Sequence, residues 1–216
     1  MKLILISANP EDIRNAYELG VFVGVASNPS LVAKEGLPSD EMFRLILDLV
    51  DDPVFVQVSA TTTQAMVEEG CVLSQIDPER VIVKVPVTAD GIKAIHALSA
   101  KGVQITATAI CAANEALLAA QAGASYLAPY MARIYDIGGN GCQVVGDIVE
   151  LVRTHELDAE VIAASVRTPE ELMLAWKLGA DYAAVQSGVI WKICGNPAVE
   201  AAAQAFHDDY SVRFGR

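Results

Sequence analysis

Eight short apolar runs alternate with amphipathic stretches along the chain, and this alternation limits the available folds more than any other feature of the sequence. The strand-like runs are Leu3–Ser7, Val21–Ala26, Val54–Ser59, Val81–Val87, Gln104–Ala109, Tyr126–Met131, Val161–Val166 and Tyr182–Gln186. Between them lie segments rich in Ala, Leu and Glu whose apolar residues recur at helical spacing. Strands that alternate with helices make βα units, whose strands run parallel. About eight such units follow one another, the count of a (β/α)8 barrel. An open doubly wound sheet is the alternative, but no glycine-rich GxGxxG follows the first run.

Helix boundaries are written locally. Start signals stand at Asn9-Pro10-Glu11-Asp12, Ser39-Asp40-Glu41 and Thr168-Pro169-Glu170-Glu171. Gly20, Gly102, Gly123 and Gly179 suit the left-handed position that ends a helix. Ala120–Tyr126 echoes Lys177–Tyr182, each reading as helix end, tight turn and strand start. With 216 residues the chain is expected to be one compact α/β domain spanning 1–216, a TIM barrel with an added C-terminal helix over about 196–212. On that last helix Phe206, Tyr210 and Phe214 recur at i, i+4 and i+8. This stripe either packs on its own barrel or docks on a neighbouring subunit.

Composition excludes several classes. The net charge of −12 argues against nonspecific binding to nucleic acid or anionic membrane. No apolar stretch reaches the roughly 18 residues of a membrane span, and the apolar N-terminal run is too short for a signal peptide. The cysteines at 71, 111, 142 and 194 are scattered with no CxxC spacing, which reads as free buried thiols in a reducing cytoplasm. His96, His155 and His207 lie far apart in helix-like segments, so neither a metal site nor a cofactor is expected.

One residue breaks the apolar pattern. Lys84 stands inside Val81-Ile82-Val83-Lys84-Val85-Pro86-Val87, a run that reads as a strand buried on both faces. Desolvation disfavours the ammonium form. Bringing a lysine from about 10.4 to about 7 takes roughly 4–5 kcal/mol. A neutral amine in a dry pocket attacks carbonyls, the chemistry of Schiff-base enzymes. The plainer reading is a strand-end lysine that snorkels to water.

Barrel enzymes carry their active sites at the C-terminal ends of the strands. The polar groups expected there are Asn28 with Ser27 and Ser30, Gln57 with Thr61–Thr63, Lys84 with Thr88, Thr106 and Thr108, Tyr130 with Arg133, and Ser165 with Arg167. Each has a plain reading: Asn28 before Pro29 as a turn residue, the threonines as strand formers, the arginines as solvated loop charges. Together they make a ring of amide, hydroxyl and cationic groups around one lysine. Arg133, Ser165 and Arg167 suit a phosphate, which arginine binds bidentately. Tyr130, Gln57 and Thr108 are suited to holding a water as proton shuttle.

Taken together, Ser27-Asn28-Pro29-Ser30, Gln57-Val58-Ser59-Ala60-Thr61-Thr62, the lysine strand, Ala128-Pro129-Tyr130 with Arg133, Gly138-Gly139, Ala163-Ala164-Ser165 and Phe214-Gly215-Arg216 make the chain resemble the transaldolase family nearly end to end. The likeness is strongest to its fructose-6-phosphate aldolase branch. The resemblance implies Lys84 as the Schiff-base lysine, Gln57, Thr108 and Tyr130 as holders of the catalytic water, and Asn28 as a donor contact. Arg133, Ser165 and Arg167 would hold the substrate phosphate. True transaldolases usually carry glutamate and phenylalanine at the positions of Gln57 and Tyr130, so these residues favour the aldolase branch. The implied reaction joins or splits a dihydroxyacetone-type donor and an aldehyde such as glyceraldehyde 3-phosphate. The implied assembly is a pentamer that stacks into a decamer, with the last helix crossing to a neighbour.

One position departs from the family. Its first strand carries an aspartate that assists proton transfer at the substrate hydroxyl; here that place is Ile6. The turn before Asn28 is altered too, to Ala26-Ser27. Loss of a general acid/base costs about 10²–10⁴ in rate. Ile6 therefore raises two alternatives to sugar-phosphate cleavage. One is imine chemistry on less polar substrates. The other is a non-catalytic homologue that binds sugar phosphates or serves in assembly.

Overall fold

The computed structural model describes residues 1–215. Eight parallel strands close into one barrel, with β1 hydrogen-bonded to β8 as well as to β2. The strands are β1 (Lys2–Ile6), β2 (Phe22–Ala26), β3 (Val54–Gln57), β4 (Val81–Pro86), β5 (Ile105–Ile110), β6 (Tyr126–Pro129), β7 (Glu160–Val166) and β8 (Tyr182–Val185). Around them run α1 (Pro10–Tyr17), α2 (Pro29–Glu35), α3 (Ser39–Leu49), α4 (Thr63–Ser74), α5 (Ala89–Ser99) and α6 (Ala113–Gln121). The series continues with α7 (Met131–Asp136), α8 (Gly141–Thr154), α9 (Pro169–Leu178), α10 (Ser187–Cys194) and α11 (Pro197–Phe214).

Side-chain alternation divides the core in two. Outward residues such as Val81, Val83 and Val85 join Ile46, Ile95, Leu98 and Ile148 in a continuous shell between strands and helices. Inward residues form a smaller cluster of Ile4, Ala26, Phe55, Ile82, Ala128, Ile162, Ala164 and Ala184, bordered by Ile6, Tyr126, Tyr130 and Tyr182. Edge-to-face contacts of Tyr126 with Phe55 (5.6 Å) and Tyr182 (6.0 Å) fill the lower barrel. Each large apolar side chain taken fully out of water contributes about 1.5–3 kcal/mol. The barrel interior is thus a packed core that opens only near the strand C-termini.

Several expected boundaries move, each for a local reason. β3 stops at Gln57 rather than Ser59, because the Glu69 carboxylate accepts the N–H groups of Ser59 and Ala60 at 2.8–2.9 Å. β6 stops at Pro129 rather than Met131; Tyr130 makes one further bridge to Ala164 and then leads into α7. β5 runs one residue past the expected end, through a bulge at Ala109. The caps at Asn9 and Thr168 accept from Asp12 and Glu171 N–H, whereas Ser39 is the first residue of α3, with Pro38 before it. The four glycines read as helix ends all have positive φ.

Two expectations are corrected. The cysteines are free, but they are not buried: Cys71, Cys111 and Cys142 are half-buried and Cys194 is exposed. The last helix extends to Phe214, and none of its described residues is buried. Phe206, Tyr210 and Phe214 are 72%, 52% and 63% exposed, so the stripe does not pack on its own barrel. Of the Phe214-Gly215-Arg216 motif, Arg216 lies outside the described residues. No helix among the described residues is long and apolar enough to cross a membrane.

Candidate active site

The lysine faces inward because strand alternation puts it there. Ile82 and Lys84 share the inner face of β4, while Val83 and Val85 point to the helices. In register, Lys84 lies opposite Gln57 on β3 and Thr106 on β5. Its Nζ donates to the Ser27 carbonyl at 3.0 Å. Burial pushes the amine down to about 8. The close packing of α5 against the end of this strand depends on Gly91, where a Cβ would fall 1.8 Å from the Pro86 carbonyl oxygen.

A cavity of about 260 Å³ opens above Lys84. Asn28, Lys84, Thr108, Tyr130, Arg133, Ser165 and Arg167 all line it. Gln57 is brought beside Lys84 by register but lies outside the lining; its Oε1 is buried with no hydrogen-bond partner among the described residues. The Thr108 hydroxyl donates to Tyr130 Oη at 3.2 Å, which fixes the phenol's direction. Asn28 caps α2 by accepting from Leu31 N–H at 3.0 Å, so its turn role and its place at the cavity coexist. Thr106, 1% exposed, adds a hydroxyl with no partner among the described residues.

Two bulges shape the rim. Between Ala163 and Val166 the β7–β8 register shifts and Ser165 takes φ of 58°. A non-glycine residue at positive φ is uncommon. Here it lets Ala164 and Ser165 both line the cavity, against strict alternation. Ala109, with φ of 60°, marks the matching register shift on β5, where Thr106 and Thr108 keep strict alternation into the cavity.

The two arginines differ in their commitments. Arg133 on α7 stands over the Tyr130 ring at 5.4 Å. Arg167 is held end-on by Asp136, with Nη1 and Nη2 at 2.8 and 2.6 Å from the carboxylate oxygens. That hydrogen bonding holds the Asp136 carboxyl below the usual range.

The rest of the wall is apolar. Ile6, Ala26, Leu31, Ile162 and Ala164 line the cavity with the amine, and no carboxylate lines it among the described residues. The arrangement therefore offers an amine nucleophile free of an anionic partner, a phenol–hydroxyl pair, and cationic groups at the mouth.

Sequence reasoning missed three features. The Ser27 carbonyl carries no side-chain signal. Gln186, at the end of β8, lines the cavity, and the position rule applied to the other strands would have found it. Asp136 follows Arg133 by three residues, but its partner Arg167 lies 31 residues away.

The model of the family described as "Transaldolase/Fructose-6-phosphate aldolase" matches residues 5–213. The chain belongs to this family. It is 40% identical over 210 residues to a probable transaldolase of Desulfitobacterium hafniense, covering 97% of this chain and 98% of that protein. Identity to a probable transaldolase of Desulforudis audaxviator is 42% over 211 residues, with 98% of each covered. A probable transaldolase of Clostridium botulinum is 39% identical over 215 residues, covering 100% of this chain and 99% of its own. A solved thiamine phosphate pyrophosphorylase from Pyrococcus furiosus shares the fold alone, with a TM-score of 0.56, 21% identity and coverage of 86% and 85%. Family membership makes this an enzyme of the aldolase/transaldolase type.

Proposed function

We propose that the chain is a class I aldolase of the fructose 6-phosphate type, joining or splitting a dihydroxyacetone-type donor and an aldehyde such as glyceraldehyde 3-phosphate. The observation that carries this reading is the Lys84 amine, drawn down to about 8 by burial and facing a cavity that also presents Tyr130 and Thr108. At pH 7 about one amine in ten is neutral at such a value, against fewer than one in a thousand for an ordinary lysine.

In this reading of the cleavage direction, Nζ attacks the ketone of the joined ketose, giving a carbinolamine. Loss of water yields an iminium, which draws electrons from the adjacent C–C bond. Cleavage releases the aldehyde, the β-hydroxyl proton leaves, and an enamine stays on Lys84. Protonation and hydrolysis of the enamine return the amine. Tyr130, aligned by Thr108, moves protons through a water that the unpartnered Gln57 Oε1 helps to hold. Asn28 contacts the donor. Arg133, Ser165 and Arg167 hold the phosphate, as planar guanidinium groups bind oxyanions. Gln57 and Tyr130 favour release of the donor over its transfer.

The same reading includes a homo-oligomer, pentameric or decameric, in which α11 covers a neighbour. Its support is the aromatic face that α11 leaves exposed. Free thiols fit a reducing, cytoplasmic setting.

Borohydride reduction of the protein with dihydroxyacetone tests the reading. Mass spectrometry is expected to find a reduced adduct on Lys84; no adduct with any small ketone or aldehyde would overturn it.

A second reading is favoured by Ile6. With an apolar wall where the family carries aspartate, the imine chemistry serves less polar carbonyl compounds. Ile6→Asp separates the two. Cleavage of fructose 6-phosphate rises in this variant if Ile6 sets the preference, and stays flat if it does not.

A further inference from the structure

We infer that Asp136 is a positioning residue for anion recognition: it clamps Arg167 so that one bidentate edge of the guanidinium is presented to the oxyanion of a phosphorylated substrate. This rests on the proposed role of Arg167 at the mouth of the site.

The geometry is specific. Asp136 takes the end-on edge of Arg167, Nη1 to Oδ1 at 2.8 Å and Nη2 to Oδ2 at 2.6 Å. A guanidinium has five N–H donors in a fixed plane. The end-on pair uses two of them and leaves the side edge, Nε–H with the second Nη2–H, in a set orientation. The main-chain N–H of Arg167 is itself held by the Glu171 carboxylate at 2.6 Å, so the base of the side chain is anchored as well. Two residues before, Ser165 at positive φ points into the same cavity.

The carboxylate comes from α7, and this links the clamp to the chemistry. Tyr130 precedes the helix, Arg133 stands one turn in and Asp136 ends it. One six-residue helix thus aims the phenol, carries one arginine and fixes the other. An arginine half exposed to water has many rotamers to lose on binding an anion. Pre-organisation removes that cost, the general route by which a held group binds more tightly than a free one. Against this stands the charge of Asp136, which repels a phosphate; at an exposed site that repulsion is screened.

The test uses inorganic phosphate and paired substrates. Phosphate binding is measured by titration calorimetry on the wild type, Asp136→Asn and Asp136→Glu. Asp136→Asn is expected to weaken phosphate about 2- to 5-fold, the scale of an exposed ion pair, and Asp136→Glu to restore part of it. In turnover, KM for a phosphorylated aldehyde rises by the same factor, while kcat and the KM for its unphosphorylated analogue hold. Unchanged or tighter phosphate binding in Asp136→Asn overturns the inference, as does an equal effect on both aldehydes. Phosphate that fails to bind the wild type overturns it too. A protein that traps no donor on Lys84 yet binds phosphate in an Asp136-dependent way loses the aldolase reading and keeps this one.

Discussion

Lys84 Nζ donates to the Ser27 carbonyl across 3.0 Å, a bond between side chain and main chain 57 residues apart. The carbonyl orients the amine without giving it the full negative charge that would keep it protonated. Desolvation therefore prevails and the amine sits near 8. The donor-trapping rate is expected to rise with pH and reach half its maximum near 8, because only the neutral amine attacks. Borohydride trapping at saturating reductant across pH 6–10 checks this. A midpoint near that of an ordinary lysine, about 10.4, would reject it.

The same burial costs stability. The folded state binds its Lys84 proton less tightly than the unfolded chain does, so between about 8 and 10.5 the unfolded state carries more protons. Stability then rises with pH through that window, and below it the full cost of desolvation stands. Lys84→Met removes a desolvated charge with no anionic partner at neutral pH and is expected to stabilise the protein by about 1–3 kcal/mol, after allowance for the lost bond to Ser27. Chemical denaturation at pH 7 measures it. The gain should shrink as the pH approaches 10, where both proteins carry a neutral group.

Tyr130→Phe keeps the ring under Arg133 and removes the hydroxyl that accepts from Thr108. The catalytic rate is expected to fall about 10²- to 10⁴-fold. Thr108→Val, which leaves the phenol but frees its direction, should cost less than Tyr130→Phe. Steady-state kinetics on both variants, with far-ultraviolet circular dichroism to verify folding, decides the order.

Gly141→Ala probes the support of α7 from outside the cavity. A Cβ there would lie 2.1 Å from the Met131 carbonyl, in the first residue of that helix. Backbone must shift, and overpacking of this kind costs about 1–3 kcal/mol. Since α7 aims both Tyr130 and Arg133, kcat and KM are expected to worsen together at temperatures where the variant remains folded. A variant destabilised by thermal melting yet kinetically normal would show that α7 does not transmit its position to the site.

The barrel was legible because its code is repetitive. Eight apolar runs at regular spacing, capped helices and glycine ends each state the same unit, and the closed sheet follows from their number. The cavity residues were legible through the rule that strand C-termini face the mouth, which placed Asn28, Lys84, Thr108, Tyr130 and Ser165 without any coordinate. What escaped was written in the main chain or in long-range pairs. Glu69 ends β3 early from ten residues downstream, through hydrogen bonds no local pattern encodes. The inward turn of Ser165 depends on a register slip, and a serine carries no sign of positive φ. The exposure of Cys194 depends on tertiary placement, which an apolar neighbourhood in sequence does not convey.

Phe55, Tyr126 and Tyr182 fill the barrel beneath the cavity. The chamber therefore opens towards the strand C-termini, above this aromatic floor. In the proposed reaction, substrate, the water shed on forming the imine, and the departing aldehyde would all pass the rim where Arg133 and Arg167 stand. Traffic through that opening would be sequential, a bound aldehyde blocking the entry of its successor while the donor half stays tethered below. In the proposed reaction, residence time at the rim arginines would then set how often the enamine meets a second aldehyde and how often it meets water.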